Sequence, residues 1–569
     1  MKKGQLLSLV LLFLTYFNAF SVTNSSLPYD SLINEYRQLT TTSSRCKLFP
    51  YGRTDCGQPL QLFVIDHNSV FNPVRLHELG YIIVFINNGI HPGEPDGMDA
   101  SLEFCKEILH NNKYYALTEK IVFCVIPAFN IDGALKRSCC SRVNQNGPEE
   151  YGFRGNDKNL DLNRDFMKQD SRNTSTLITI LHQWNPDIFI DTHVSDGADY
   201  QYTMTLISSQ HDKMSSVAGE FMKHKLTPEI FSRMASVKDE ITTYVNTLDN
   251  AEVPDSGIVG FLETPRFASG YTSLFNTFAF ITESHMLKPF DQRKKSTLHI
   301  LECISETAFK YKDEILNIRK SASDADFKAS YAYFNYKCDT GSFEKINFKG
   351  YTAVSEKSKI TTHDRIRYDH AKPFVKPIPF FDHYFPTDSV RIPEFIYIPQ
   401  AWEPIVKILD NNGVKFSRSQ EDSTATVTAF VIDDYKTSPE PYEGHYVHSS
   451  IHCHTVTQTI KIRKGDIIIF PRQNSIRYLM EALTPFAGDS FFAWGFFDSI
   501  LQQKEWFSDY VFEDLAEQIL AENPELKKEY ENWLSTHSGE DAYSQLYYIY
   551  KHSKYFEPEY RVYPVRFGY

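Results

Sequence analysis

The sequence predicts an α/β sheet covered by helices on both faces, followed by a C-terminal α+β region, and three observations predict it. Short β-rich runs alternate with helical patterns through the first half. The strongest run, Ile82-Ile83-Val84-Phe85-Ile86, is apolar without alternation, as a strand buried on both faces must be. Past the small, polar stretch Lys320-Ser321-Ala322-Ser323-Asp324-Ala325-Asp326 the texture changes to alternating strands and then to helices, which sets a boundary there.

Taken in order, Lys2 and Lys3 precede an apolar run over 6–17, and Ala19-Phe20-Ser21 offers small residues two apart, the layout of a cleavable export signal over 1–21. The run is shorter than the ~18 to 20 apolar residues needed to cross a bilayer. Export to a periplasmic or extracellular space is expected, with no stable membrane anchor. Nine cysteines leave at least one unpaired. Cys46 and Cys56, beside Gly52 and Gly57, can close a small loop, whereas the neighbours Cys139 and Cys140 are too crowded for an easy bridge.

A strand over 81–87, a helix over 98–110 and strands over 121–126, 187–191 and 279–282 compose a first domain over 45–320. An ancillary α+β region of one or two subdomains is expected over 327–569. It opens with a helix over 402–409 stopped by Gly413, an alternating strand over 424–432 and a hairpin through Lys464-Gly465. Helices follow from Ser508, with Val511, Leu515 and Ile519 four apart and Asn523-Pro524 starting another. The balance of 59 basic and 72 acidic residues gives a net charge of -13, with no basic stripe, which excludes nucleic acid as an expected partner.

Chemistry concentrates in Asn87-Asn88-Gly89-Ile90-His91-Pro92-Gly93-Glu94, directly after the strongest strand. His91 and Glu94 leave the strand end on a tight Gly/Pro turn that can aim a nitrogen and a carboxylate oxygen at one point. A catalytic zinc takes three such ligands and a water, so a third is required, and His193 at the end of the strand over 187–193 supplies it. By contrast, His452-Cys453-His454 places two histidines on one face of a strand with no third donor nearby, and reads as an ordinary solvated strand.

With these residues in place, the chain resembles the carboxypeptidase A-like zinc metallocarboxypeptidase family over roughly residues 45 to 315. The resemblance rests on His91-Pro92-Gly93-Glu94, Asn130-Ile131-Asp132-Gly133, Asp161-Leu162-Asn163-Arg164-Asp165-Phe166, Asp191-Thr192-His193 and Thr282-Glu283, in that order. It implies a mixed, mostly parallel central sheet, Zn2+ held by His91, Glu94 and His193, and Glu283 as general base. It further implies that Asn163 and Arg164 grip the substrate's terminal carboxylate, for which a guanidinium fork is suited. Arg154, nine residues before Asn163, matches the arginine that stabilises the oxyanion in shorter members, with Arg142 as competitor. Asp161 would orient His91. One departure is that no clear counterpart of the family's mobile tyrosine stands about twenty residues before the base. Tyr271, twelve residues before Glu283 in Ser269-Gly270-Tyr271, is the candidate.

The expected function is a secreted zinc carboxypeptidase acting on peptides with a free C-terminal carboxylate. Two alternatives are a family relative acting on cell-wall peptides or N-acyl amino acids, and a non-catalytic binding protein. For the C-terminal region, an exposed aromatic row would indicate polymer binding, while burial of the Phe491-to-Phe497 run would indicate a structural cap.

Overall fold

The computed structural model describes residues 24–251 and 253–569; the export signal expected over 1–21 lies outside them. Nine strands belong to the first half: β1 (Cys46–Tyr51), β2 (Leu60–Ile65), β3 (Ile82–Asn87), β4 (Ile121–Ile126), β5 (Ile188–Ser195), β6 (Met204–Ser208), β7 (Thr242–Thr243), β8 (Ile258–Val259) and β9 (Phe278–His285). Eight form one sheet in the order β1-β2-β4-β3-β5-β9-β6-β7. The central four, β4-β3-β5-β9, are mutually parallel, with antiparallel pairs towards both edges. Every residue of β2, β3, β4 and β5 is buried, which requires cover on both faces and explains why their sequences do not alternate. Helices Asp96–His110 and Phe290–Lys310 pack together against this sheet. The α/β fold with a mixed, mostly parallel sheet is therefore present as expected.

A buried ion pair ties these helices together. Arg293 Nε and Nη2 donate to the Asp96 carboxylate at 2.8 and 3.2 Å, and its remaining N–H groups reach the carbonyls of Asn146, Gly147, Met286 and Lys288. Both side chains are essentially inaccessible, so the charge is tolerable only because each donor is satisfied.

The C-terminal region adds β10 (Tyr331–Cys338), β11 (Glu344–Lys357), β12 (Asp364–Phe381), β13 (Tyr384–Arg391), β14 (Phe395–Ile398), β15 (Ser417–Arg418), β16 (Ser423–Thr437), β17 (His448–Ile462), β18 (Ile467–Ile469) and β19 (Val562–Gly568). Six of them form a sheet ordered β15-β18-β14-β19-β16-β17. A helical appendix over Asp509–Glu522, Pro524–Thr536 and Ala542–Lys551 has its own small core around Phe512, Leu546 and Tyr550.

Four expectations change. The stretch 320–326, expected as a boundary, lies within helix Lys312–Lys328, and the chain turns into β10 only after Ala329. Small residues there pack rather than break the helix: Ala322 is fully buried. Lys464-Gly465 does not close a hairpin, since β17 pairs with β16 whereas β18 pairs with β14 and β15; alternation reveals a strand but not its partner. Cys46 and Cys56 are free thiols, with Cys46 Sγ directed at the carbonyl of Leu39 and Cys56 Sγ at Thr54. Cys139 and Cys140 form the disulfide instead.

One core runs through both halves, from Phe85 and Phe189 to Ile396, Tyr478 and Phe567. β8 pairs in parallel with the end of β12, so a strand of the first half completes a sheet of the second. Phe491, Phe492, Ala493, Trp494 and Phe497 are fully buried, and Trp494 receives Arg266 and Lys168 of the first half on its ring. The aromatic run is a structural cap.

Candidate active site

The site grows from the ends of β3, β5 and β9. Beyond β3 the backbone turns at Gly89 (φ 65°) and is stitched to the loop after β4, where the N–H groups of Phe129 and Asn130 donate to the carbonyls of Asn88 and Gly89. Asn88 Oδ1 accepts from Ser101 and Thr192, joining this loop to the following helix and to β5. Gly97 allows that helix to approach: a Cβ there would stand 1.8 Å from Thr192 Oγ1.

This framework brings His91, Glu94 and His193 together, all buried, with donor atoms within 4.8 Å of one another. His91 Nδ1 is 3.3 Å from Glu94 Oε1, and His193 Nδ1 is 3.2 Å from Glu94 Oε2. The outward nitrogens face carboxylates: His91 Nε2 bonds Asp161 Oδ1 at 2.9 Å, and His193 Nε2 stands 3.1 Å from Asp191 Oδ2. A carboxylate behind each imidazole fixes the ring and raises its basicity as a ligand.

The donor set suits a zinc ion. His91 Nδ1 is a buried atom without a hydrogen-bond partner, aimed at the same point as Glu94 and His193. Burial disfavours the protonated form of His193, yet the carboxylates of Asp191, Glu94 and Glu283 outweigh it and hold its pKa well above that of a free imidazole. Two imidazoles and a carboxylate are ligands of a catalytic zinc. Burial also opposes ionisation of Glu94, but His91, Arg142 and the hydrogen bond from His193 hold its carboxyl well below the usual range.

Glu283 sits beside His193 across the parallel β5–β9 register. Burial pushes its carboxyl up to about 8; His193, Arg142 and Arg154 pull down against this and Glu94 pushes up with it. The next residue, Ser284, donates to Asp96 Oδ2 at 2.5 Å, anchoring this strand end to the Asp96–Arg293 pair.

Both candidate arginines reach Glu94 Oε1. Arg142 is fully engaged, with Nη1 on Glu94 at 2.8 Å, Nη2 on the Val194 carbonyl and Nε on Gln145. Arg154 holds Asp161 Oδ2 through Nε and Nη2, stands 3.4 Å from Glu94 through Nη1, and exposes 45% of its side chain against 17% for Arg142. Arg154 is thus the one open to an approaching ligand. Asn163 Oδ1 accepts the Ala268 N–H, and Arg164 stacks on Phe267 with its guanidinium carbon 4.3 Å from the ring centre.

Tyr271 is placed elsewhere. It is fully buried, and its hydroxyl donates to Asn412 Oδ1 at 2.6 Å and stands 2.9 Å from His182 Nε2. A ring so enclosed and bonded has no room to swing, which removes it from the substrate-covering role. Tyr244, after β7, is a different matter. Burial first, and then the carboxylates of Glu283, Asp196 and Glu94, drive its hydroxyl far up, while its ring packs edge-on against Phe261. It precedes Glu283 by 39 residues, about twice the interval that the resemblance implies. Tyr442 and Glu443 of the C-terminal region also enter, with no local sequence signal.

Comparison with known proteins finds similarity to zinc carboxypeptidases. Residues 33–224 match the family model described as zinc carboxypeptidase. The chain is 22% identical over 463 residues to carboxypeptidase 2 of Trichophyton rubrum, covering 77% of each protein. Against carboxypeptidase 2 of Trichophyton equinum it is 22% identical over 483 residues, covering 81% of this chain and 80% of the relative. Among solved structures, carboxypeptidase A from Helicoverpa armigera matches at 14% identity and a TM-score of 0.38, over 50% of this chain and 74% of that one. A metallo-carboxypeptidase from Burkholderia cenocepacia matches at 15% identity and a TM-score of 0.36, over 48% and 68%.

Proposed function

We propose that this chain, a zinc metallocarboxypeptidase by family, is an exported exopeptidase that removes the C-terminal residue of peptides. One observation carries the reading: two buried imidazoles and Glu94 aim at one point, each imidazole backed by a carboxylate, with Glu283 buried beside them.

His91, Glu94 and His193 would hold the zinc, which when bound lowers the pKa of water towards ~7 and polarises a carbonyl. Glu283 would take the proton of the attacking water and hand it to the leaving amine. A carboxyl held near neutrality by burial suits that double duty, because it can both accept and release a proton at ordinary pH. Arg154, more exposed than Arg142, would meet the oxyanion that develops on the scissile carbonyl. Asn163 and Arg164 would bind the terminal carboxylate, and Asp161 would orient His91. Tyr271, locked by Asn412 and His182, is not available to close over substrate, and Tyr244 is proposed in its place.

The test is incubation of the zinc-loaded protein with a mixed peptide library and mass analysis of the products. Stepwise loss of C-terminal residues is expected. Cuts confined to cell-wall peptides or N-acyl amino acids would redirect the substrate assignment, and no cleavage by a chain carrying zinc would overturn the enzymatic reading.

A further inference from the structure

The turn between β16 and β17 reaches across to the segment that carries the carboxylate clamp. Tyr442 and His445 exchange backbone hydrogen bonds of 2.7 and 3.0 Å around Glu443 and Gly444, whose φ values are 50° and 82°. Two central residues at positive φ make a tight hairpin turn that favours Asn-Gly, and glutamate is a poor occupant of its first position. Its side chain accounts for the choice: Glu443 Oε2 accepts the Asp161 N–H at 2.7 Å. Next to it, the Tyr442 hydroxyl accepts from Arg164 Nε at 2.9 Å. The turn is itself held by His445 on Asp170 Oδ2 at 2.8 Å and by the Tyr442 ring stacked on the buried Trp494.

These contacts bear on the clamp's geometry. Arg164 is fixed on three sides, by Tyr442 at Nε, by the Asn163 carbonyl at Nη1 and by the Phe267 face beneath it. A guanidinium held this way presents its fork in one orientation, which reduces the ordering required when a carboxylate binds. Asp161, whose backbone Glu443 holds, in turn bonds His91 Nε2 and the Asn163 N–H through Oδ1.

We infer that Tyr442 and Glu443 are positioning residues of the active site: the C-terminal region sets the orientation of Arg164 and of the Asp161–Asn163 segment, and thereby the affinity for the substrate's terminal carboxylate. The inference rests on the assignment of Arg164 to that carboxylate.

Calorimetric titration of a peptide substrate into Glu283→Gln protein measures binding without turnover, and kcat and KM are measured in the otherwise unaltered chain. Tyr442→Phe keeps the ring on Trp494 and deletes one acceptor. It is expected to weaken peptide binding and raise KM about three- to tenfold, with kcat within about twofold and an unchanged melting temperature. Arg164→Ala is the reference. If it weakens binding while Tyr442→Phe binds like the parent, the inference on Tyr442 is overturned and the clamp stands. If Arg164→Ala also binds like the parent, the clamp assignment itself fails. Glu443→Gln retains an acceptor for the Asp161 N–H and should keep the parental KM, whereas Glu443→Ala should not; equal behaviour of the two removes Glu443 from the proposal.

Discussion

The turn over 88–94 and the turn over 442–445 deliver side chains to the same place from different kinds of sheet. The first leaves β3, buried at every position in the middle of parallel strands. The second joins β16 and β17, long antiparallel strands with register shifts and many exposed positions, β17 forming the edge. A strand held on all sides leaves its end little freedom, which suits ligands that must meet a metal within tenths of an ångström. An edge ribbon with bulges accepts insertion and drift, which suits the wall that meets a variable substrate. The candidate metal ligands therefore sit on the more constrained backbone of the first half, and the contacts to Arg164 and Asp161 come from the looser ribbon of the second.

The largest effect that can break this contrast is chemical. Glu283→Gln should lower turnover about 10²- to 10⁴-fold while metal analysis still finds close to one zinc per chain; retained turnover would remove Glu283 from the mechanism. Arg293→Met should follow. It leaves Asp96 buried and uncompensated, and a loss of about 3–5 kcal/mol in denaturant unfolding is expected. Arg266 joins the halves through Asp489 at 2.7 Å, and the buried Asp489 carboxylate also accepts the Arg266 backbone N–H at 3.0 Å, which a substitution of the side chain leaves in place. Arg266→Met should cost less, about 1–3 kcal/mol, and equal losses would erase the distinction between the two regions.

A third measurement uses acidity. Burial, reinforced by Asp489, raises Glu481 of the C-terminal region to about 7, and burial raises Asp99 of the first half to about 7. Each carboxyl binds its proton more tightly folded than unfolded. Its stabilisation is full below the ordinary carboxylate range and is lost as pH rises through about 7. The melting temperature should thus fall between pH 5 and pH 8, and Glu481→Gln, neutral throughout, should flatten part of that slope by a few degrees. A slope unaltered by the substitution would clear Glu481 of the effect. The smallest expected change is at the exposed pair His452 and His454, the latter bonded to Asp433 at 2.7 Å. Their double replacement by alanine should leave zinc content unchanged and stability within about 0.5 kcal/mol.

What could be read from the sequence follows the same division. The buried strands advertise themselves by unbroken apolar runs, and the residues at their ends, His91, Glu94, His193 and Glu283, stand out because charge directly after such a run needs a reason. Partners brought in from afar carry no such mark. Tyr442 and Arg164 are separated by 278 positions and Glu443 and Asp161 by 282, so no local pattern connects them. A glycine before Tyr271 suggests a hinge, while only packing reveals that the ring is locked by Asn412 and His182. Alternation in the strand after Lys464-Gly465 likewise could not tell which neighbour it joins.

The place of β19 has a consequence for the order in which the molecule can be assembled. Residues 562–568 lie between β14 and β16, in the interior of the six-stranded sheet. Until they emerge from the ribosome, the ribbon that carries Tyr442 and Glu443 has no partner on its inner side. The candidate metal ligands His91, Glu94 and His193 are synthesised about 370 residues earlier. A nascent chain would then hold the proposed metal-binding cluster well before the turn that positions Arg164 is completed.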